Sequence, residues 1–522
     1  SAEPPVLAIS EDGRSVVPLL GGHHGGNDLA RSIAGLLDAH AAITTAGDIR
    51  FGVALDCPPE GYVLGNPGNA KAVMAELVAG ASARLQGEAD WLNSSFIPFA
   101  HDCSFKLTVT DLAVEPEAME LVYHPRDLVL GMGSERGADI ADAIALAESV
   151  LKAGDYAAKA LAAVASIDVK ADEAAIQAVA AHFGVPVRFF DAATLEAERL
   201  RLANPSDVVF AEVGCHGVAE GAALAAVGPD GQLLVPKTKT RSATAALARS
   251  PWPVDAETIG RSRGRLFVVG IGPGGEEWRS PEVSRMIAAS TDLVGYSLYL
   301  DLLGPLADGK TRHDFDLGKE EARVVHAMEL AGHGRDVALV CSGDAGIYAM
   351  ATLVFELFDK GGITDAARRI EVQCSPGISA LQGAAARAGA PLGHDFCTIS
   401  LSDLLTPWDD IMARVTAAGV GDFVIAFYNP VSMKRRTQLA WARDRLLEYR
   451  PATTPVILAT NLGRAGEAVR VVPLGELNVD DVDMLTVVVV GSSNTTTVTT
   501  GDGRIWVYTP RGYSKKSDSA MK

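Results

Sequence analysis

Glycine-bearing stretches carry most of the chemical information in this chain: Gly270-Ile271-Gly272-Pro273-Gly274-Gly275, Ser342-Gly343-Asp344-Ala345-Gly346-Ile347-Tyr348 and Ser375-Pro376-Gly377-Ile378-Ser379-Ala380. Without a Cβ, backbone at such positions can approach a bound ligand closely. The first stretch satisfies the G-x-G-x-x-G spacing of dinucleotide sites. Two features argue against a nicotinamide cofactor. Pro273 has no N–H to offer a pyrophosphate and interrupts the turn that should open a helix. The acid expected after the second strand is displaced, since Asp292 precedes the strand 292–296. In the second stretch, Asp344 is the one charge in its loop and can pair with an ammonium or bond a hydroxyl. An Asx-turn or a helix N-cap is the competing role for that side chain.

Holding such loops in register requires strands that end where the loops begin. Short β-branched runs alternate with Ala-rich helical stretches, which predicts an α/β protein with mostly parallel sheets. Strands are predicted at 6–10, 15–20 and 127–130, and then at 265–270, 292–296, 337–341, 370–374, 396–401, 422–427, 455–459, 485–490 and 504–508. Helices are predicted at 27–37 and 138–151. The run Leu485–Val490 is β-branched on both faces, as a strand buried between helix layers should be. The Pro-bearing stretch from Ser250 to Gly264 divides the chain into halves.

A length of 522 residues implies several domains. With 48% hydrophobic and 21% charged residues, the chain is globular, not disordered. A balance of 46 basic against 65 acidic residues, net −19, repels phosphate backbones and excludes nucleic acid as a partner. Anionic small substrates are still admissible, because a local site can oppose the global field. No apolar window reaches membrane-spanning length and no signal pattern opens the sequence, so no membrane association and a cytoplasmic location are expected. The six cysteines (57, 103, 215, 341, 374, 397) form no CxxC pair and are read as free buried thiols, with neither a zinc site nor a disulfide framework.

Taken together, Leu266–Gly274, Ser342–Tyr348 and Ser375–Ala380 resemble the tetrapyrrole (corrin and porphyrin) methylases that use S-adenosylmethionine. His394–Trp408, Phe427-Tyr428-Asn429-Pro430 and Gly491-Ser492-Ser493-Asn494-Thr495 narrow the resemblance to the precorrin-3B carbon-17 methyltransferase branch of cobalamin biosynthesis, over about 264–513. The resemblance implies a two-lobed α/β methylase fold (264–390 and 391–513), S-adenosylmethionine as methyl donor, a tetrapyrrole substrate and a homodimer. Neighbouring corrin-pathway enzymes are further candidate partners. It places cofactor contacts at Gly272, Pro273, Gly274, Ser342, Gly343, Asp344, Gly346, Ile347, Ser379, Ala380, Tyr428, Asn429 and Asn461. Methylation at carbon-17 accompanies ring contraction to precorrin-4, which needs a hydroxyl proton removed; Asp403 or His394 is the candidate base. The substrate is rich in carboxylates, so Lys434 and Arg435, followed by Arg436, are candidate substrate contacts, although a solvated helix start accounts for them equally.

Leu19–Asp28, Ala42–Asp48, Leu130–Gly137, Asp168–Asp172 and Val208–Leu224, closed by Lys237-Thr238-Lys239, resemble the cobalt-precorrin-5A hydrolase over about 1–250. This implies hydrolase-like α/β domains at 1–86 and 125–250, joined by a middle linker region at 87–124. The family's first domain begins earlier, so 1–86 is expected to be a shortened form, and Leu20-Gly21-Gly22-His23 lacks a hydroxyl found in the family pattern. His23 is a candidate acid/base, as is Glu212, read as ending a strand before Gly214-Cys215-His216-Gly217. Adjacent His23 and His24 point apart with no third ligand nearby, so no metal is expected. Gly131–Gly137, with Gly133 inside it, reads as an anion cradle at a helix N-terminus. The first half is either a hydrolase or a non-catalytic module that binds and passes on an intermediate. A second substrate reading is the cobalt-loaded one, giving a cobalt-factor III methyltransferase joined to a cobalt-precorrin-5A hydrolase.

Overall fold

The computed structural model describes residues 4–43 and 46–512, without the side chains of His23, His24, Ala46 and Asp48. Thr44 and Thr45, part of one hydrolase-like motif, lie outside the described residues. The chain forms two units that meet in sequence at Arg263 and Gly264.

The first unit opens with an antiparallel pair, Val6–Ile9 and Ser15–Leu20, extended in parallel by His40–Ala41. Helix Asn27–Leu37 places Ala30 and Ala34 against Val16. Next comes a four-stranded sheet in the order Tyr62–Leu64, Glu120–Pro125, Phe105–Val109 and Ala83–Gln86. The stretch 87–124 is therefore no linker. It supplies both central strands, with Leu107, Leu121 and Tyr123 fully buried. Strands covered on both faces lose the alternating pattern that marks a half-buried strand, and these two are short.

The third sheet of this unit runs Val187–Phe190, Leu161–Ile167, Leu128–Ser134, Ala243–Arg249, Gln232–Lys239, the first three parallel and the last two antiparallel. Helix Val218–Val227 lies so close on Leu128–Ser134 that a Cβ at Gly131 would come 1.9 Å from the Ala219 carbonyl oxygen. Gly131 and Gly133 therefore lie within a strand and do not form an anion cradle. Gly133 is buried, with Thr244 Oγ1 2.8 Å from where its Cβ would be. The following helix starts only at Ile140, and its N-cap Asp139 already accepts from the Asp142 N–H at 2.8 Å. No single described helix is long and apolar enough to cross a membrane; the bent pair Asp207–Val213 and Val218–Val227 passes only jointly, by length and composition.

The second unit has two lobes. The first is a parallel sheet in the order Thr311–Phe315, Asp292–Tyr296, Asp336–Cys341, Arg265–Gly270, Glu371–Ser375. The second holds a mixed sheet, Phe396–Ser400, Val424–Tyr428, Thr486–Val490, Pro455–Thr460, Ala468–Pro473, and a small sheet ending in Ile505–Tyr508. The expected parallel order fails in this lobe because the turn 461–467 is too short for a parallel crossover and closes a hairpin instead. Thr486–Val490 is buried throughout, at the centre of its sheet. All six cysteines are free, but only Cys215 and Cys341 are buried, and Cys374 is exposed.

Asp292, fully buried, anchors the first lobe at the edge opposite the glycine loops. It accepts from Thr291 Oγ1 (2.7 Å), Arg335 Nε (2.5 Å) and His313 Nε2 (3.0 Å). Burial alone would raise its pKa, but those hydrogen bonds outweigh burial and hold the carboxyl below its ordinary range. With His313 donating to Asp292 through Nε2, its Nδ1 is left to accept from His326 Nε2 at 2.9 Å. Burial, and next the neighbouring His313, push His326 below the ordinary histidine value.

A histidine held neutral by the fold binds its proton more readily when unfolded, so its stabilising contribution is present above pH about 6.5 and is lost as pH falls below it. Denaturant titrations from pH 7.5 to 5 should show the second unit weakening, and His326→Gln should flatten that slope. Gly131→Val should destabilise the first unit by about 3 kcal/mol or more, because the clash is with helix backbone; chemical denaturation of the variant checks this.

Candidate functional site

Three parallel strands of the second unit end side by side at Gly270, Cys341 and Ser375, and the three glycine stretches leave from those ends. The loops pack backbone on backbone. Gly272 and Gly343 exchange N–H···O bonds of 3.2 and 2.8 Å. A Cβ on Gly377 would lie 2.0 Å from the Gly343 oxygen, and one on Gly270 would lie 2.5 Å from it. At Gly270 and Gly377, then, the missing Cβ serves loop-to-loop contact first. The loops thus gather beyond the carboxyl ends of a parallel sheet, the usual place for a ligand crevice in such folds.

Asp344 ties two of these loops: Oδ1 accepts from the Gly346 N–H (2.8 Å) and Oδ2 from the Gly377 N–H (3.0 Å). This is the turn-forming role, but a carboxylate has further lone pairs and can still take an ammonium or a hydroxyl. Gly346, Ile347 and Tyr348 are exposed on the loop rim, and the Tyr348 hydroxyl donates to the Thr398 carbonyl of the second lobe at 3.0 Å. Ser379 precedes helix Ala380–Ala388, is buried, and shares a short hydrogen bond with the Tyr428 hydroxyl. That phenol also accepts from the Leu381 N–H (3.1 Å), and burial pushes its pKa up. Ala380 packs in the same apolar cluster as Tyr428.

Asn429 follows Tyr428 in a left-handed conformation (φ 49°) and donates through Nδ2 to Ser400 Oγ at 3.1 Å. Arg435 binds this corner together. Its Nη2 donates to the Asn429 carbonyl (2.9 Å), its Nη1 donates to Ser402 Oγ (3.1 Å), and Nη1 lies 3.8 Å from Asp403 Oδ1. Asp403 also accepts from Gln438 Nε2 at 3.1 Å. Lys434 is exposed, and Arg436 turns away to Asp480 (2.9 Å). The structure thus gathers Asp403, Arg435 and Asn429, but not His394. His394 lies exposed before Phe396–Ser400, at the opposite end of that strand from Asp403.

One residue absent from the sequence reading joins the lobes. Arg464 donates through Nε to the Pro273 carbonyl (2.7 Å) and through Nη2 to Ser342 Oγ (2.9 Å), with Tyr299 beneath it at 6.0 Å from the ring centroid. Its N–H donates to the carbonyl of Asn461 (2.9 Å), itself left-handed at φ 52°. Gly274 and Gly463 meet there, a Cβ on Gly274 falling 2.2 Å from the Gly463 oxygen. Arg464 stands three residues from Asn461, yet its side-chain partners lie more than a hundred positions away, beyond the reach of any local pattern.

In the first unit, Glu212 is not at a strand end but exposed on helix Asp207–Val213. The side chain of His23 lies outside the described ones; its backbone belongs to the helical turn Gly22–Gly26. The sequence reading passed over a polar set nearby. His216 is buried, stacked 4.4 Å from Phe210, with Nδ1 2.8 Å from Glu196 Oε2 and Nε2 3.3 Å from Asp207. His216 thus lies between two carboxylates, one on each imidazole nitrogen, and Glu196 orients the ring through Nδ1. Buried Glu220 accepts from Asn204 N, Asn204 Nδ2 and Lys237 N at 2.8 to 3.0 Å. Among the described residues, no group of three or more His, Cys, Asp or Glu could hold a metal ion.

Family comparison agrees with this architecture. Residues 265–478 match the model of Tetrapyrrole (Corrin/Porphyrin) Methylases, residues 128–248 that of Cobalamin synthesis G C-terminus, and residues 1–48 that of Cobalamin synthesis G N-terminal. The chain is 44% identical over 254 residues to the cobalamin biosynthesis protein CobIJ of Mycobacterium tuberculosis (H37Rv), covering 48% of each chain. It is 42% identical over 254 residues to a precorrin-3B C(17)-methyltransferase of Sinorhizobium sp, covering 49% of this chain and 99% of that one. It is 43% identical over 249 residues to a probable cobalt-factor III C(17)-methyltransferase of Salmonella typhimurium, covering 48% of this chain and 99% of that one. The chain thus spans about half the length of CobIJ and nearly all of the other two. With its glycine loops gathered at the carboxyl ends of a parallel sheet and near-complete coverage of such relatives, the chain belongs to the tetrapyrrole (corrin/porphyrin) methylases.

Proposed function

We propose that the second unit transfers a methyl group from S-adenosylmethionine to carbon-17 of precorrin-3B, with ring contraction to precorrin-4. The observation that carries this reading is the 42% identity over 99% of a precorrin-3B C(17)-methyltransferase. The residues at the crevice suit the cofactor: Ser342 and the loop N–H groups for hydroxyls, Asp344 for an ammonium, and close-packed loops that can exclude water. S-Adenosylmethionine supplies an activated methyl on a positively charged sulfur, which departs neutral and needs no acid. The chain's task is alignment and exclusion of water. Asp403 would take the hydroxyl proton during contraction, a reading supported by its contacts with Gln438 and Arg435 at the corner shared with Asn429. His394, at the other end of its strand, would not.

A second substrate is favoured by a specific observation, the 43% identity over 99% of a probable cobalt-factor III C(17)-methyltransferase. Cobalt would arrive within that substrate, so protein ligands do not distinguish the two. For the first unit, the match to the Cobalamin synthesis G models together with the Glu196–His216 pair supports a hydrolase-like role on a later intermediate. A module that holds and passes on the intermediate is the alternative. The chain would act as a homodimer alongside neighbouring corrin-pathway enzymes.

Mass spectrometry of the tetrapyrrole after incubation with S-adenosylmethionine tests the transferase. Gain of one methylene on metal-free precorrin-3B supports the first substrate, gain only on cobalt-factor III the second, and gain on neither refutes the reading. Asp344→Ala should weaken S-adenosylmethionine about tenfold or more, through loss of a charged partner and a loop tie; calorimetry measures it. Asp403→Asn should leave that affinity intact while slowing ring contraction about a hundredfold, followed by the absorption change of the macrocycle.

A further inference from the structure

Arg464 is a half-buried cation with no acidic partner among the described residues. Its described contacts are the Pro273 carbonyl, the Ser342 hydroxyl, the Tyr299 ring and the backbone of Asn461. Burial lowers its pKa, with only Tyr299 opposing, and no carboxylate lies within ion-pair distance among the described residues. The two donors Nε and Nη2 are engaged, whereas Nη1 holds no bond to a described residue and is not buried away from solvent. Holding a guanidinium partly out of water without a counter-ion is unfavourable. The nearby arginines differ. Arg435 has Asp403 within 3.8 Å and Arg436 has Asp480 at 2.9 Å.

Resting on the methyltransferase reading above, we propose that Arg464 receives a carboxylate of the bound ligand through its open Nη1 edge. Its other donors are already fixed to Pro273 and Ser342, so the guanidinium is oriented before the ligand arrives. Both of those residues belong to the glycine loops at the strand ends, which places the guanidinium beside those loops. The group recognised is an alkyl carboxylate. It can come from the amino-acid part of S-adenosylmethionine or from an acetate or propionate arm of the tetrapyrrole.

Calorimetric titration of the full chain with S-adenosylhomocysteine and with its decarboxylated analogue separates the sources, alongside steady-state kinetics on the tetrapyrrole. If the carboxylate is the cofactor's, decarboxylation weakens binding to the wild type about tenfold, Arg464→Met binds both forms at the weak level, and Arg464→Lys recovers part of the difference. If it is the substrate's, decarboxylation costs Arg464→Met as much as it costs the wild type, while Arg464→Met raises the tetrapyrrole KM about tenfold at unchanged kcat. The proposal is overturned if a folded Arg464→Met changes neither cofactor affinity nor KM. If that variant does not fold, wild-type indifference to decarboxylation together with an unaltered KM in Arg464→Lys overturns it equally. A wild type that binds no S-adenosylhomocysteine and methylates nothing would instead remove the methyltransferase reading, and the proposal with it.

Discussion

The carbonyl of Gly343 is the point on which the second unit's crevice turns. Gly270 and Gly377 both approach it within a distance that no Cβ permits, and Gly272 donates to it. Loops leaving three adjacent strands are thereby locked to one another before any ligand is involved. The cradle's shape comes from main chain, and side chains enter afterwards. This explains why the stretches are rich in glycine even where the glycine itself faces another loop rather than open space.

Side chains then fix the loops in pairs. Asp344 joins the second loop to the third, Arg464 joins the first and second to the turn of the other lobe, and Tyr428 joins Ser379 to the strand beside it. Arg435 does the same for the corner that holds Asp403. In each case one polar side chain satisfies groups from two or more separate segments. Disturbing one bond should shift several loops together, because in a half-buried setting an unsatisfied partner costs more than the bond itself contributes. Asp292 performs the equivalent task at the far edge of the first lobe, through its ties to His313 and Arg335.

The first unit solves a different problem with the same residue type. Small residues on helix Val218–Val227 and glycines on the strand beneath bring helix and sheet into backbone contact. That packing carries the segment 214–217 over the sheet and buries His216 between Glu196 and Phe210. The environment of His216 is thus assembled from three separate stretches of chain.

Local pattern was enough for the strands at 265–270, 292–296 and 396–401, because hydrophobic runs and the turns that end them are properties of neighbouring residues. The same holds for the glycine loops, whose composition is legible without knowing what they touch. Pattern failed for the strands Phe105–Val109 and Glu120–Pro125 and for Gly133, where burial on both faces or contact with a distant helix overrides the local signal, and for the short exposed helix bearing Glu212, whose β-branched run reads locally as a strand. The pairing of Arg464 with Pro273 and Ser342, the separation of His394 from Asp403, and the orientation of His216 by Glu196 were decided by tertiary structure alone. Residue types and their spacing along the chain determine which chemistry is available. Which groups meet depends on strand order and crossover connections, and these bring together positions that no sequence window contains.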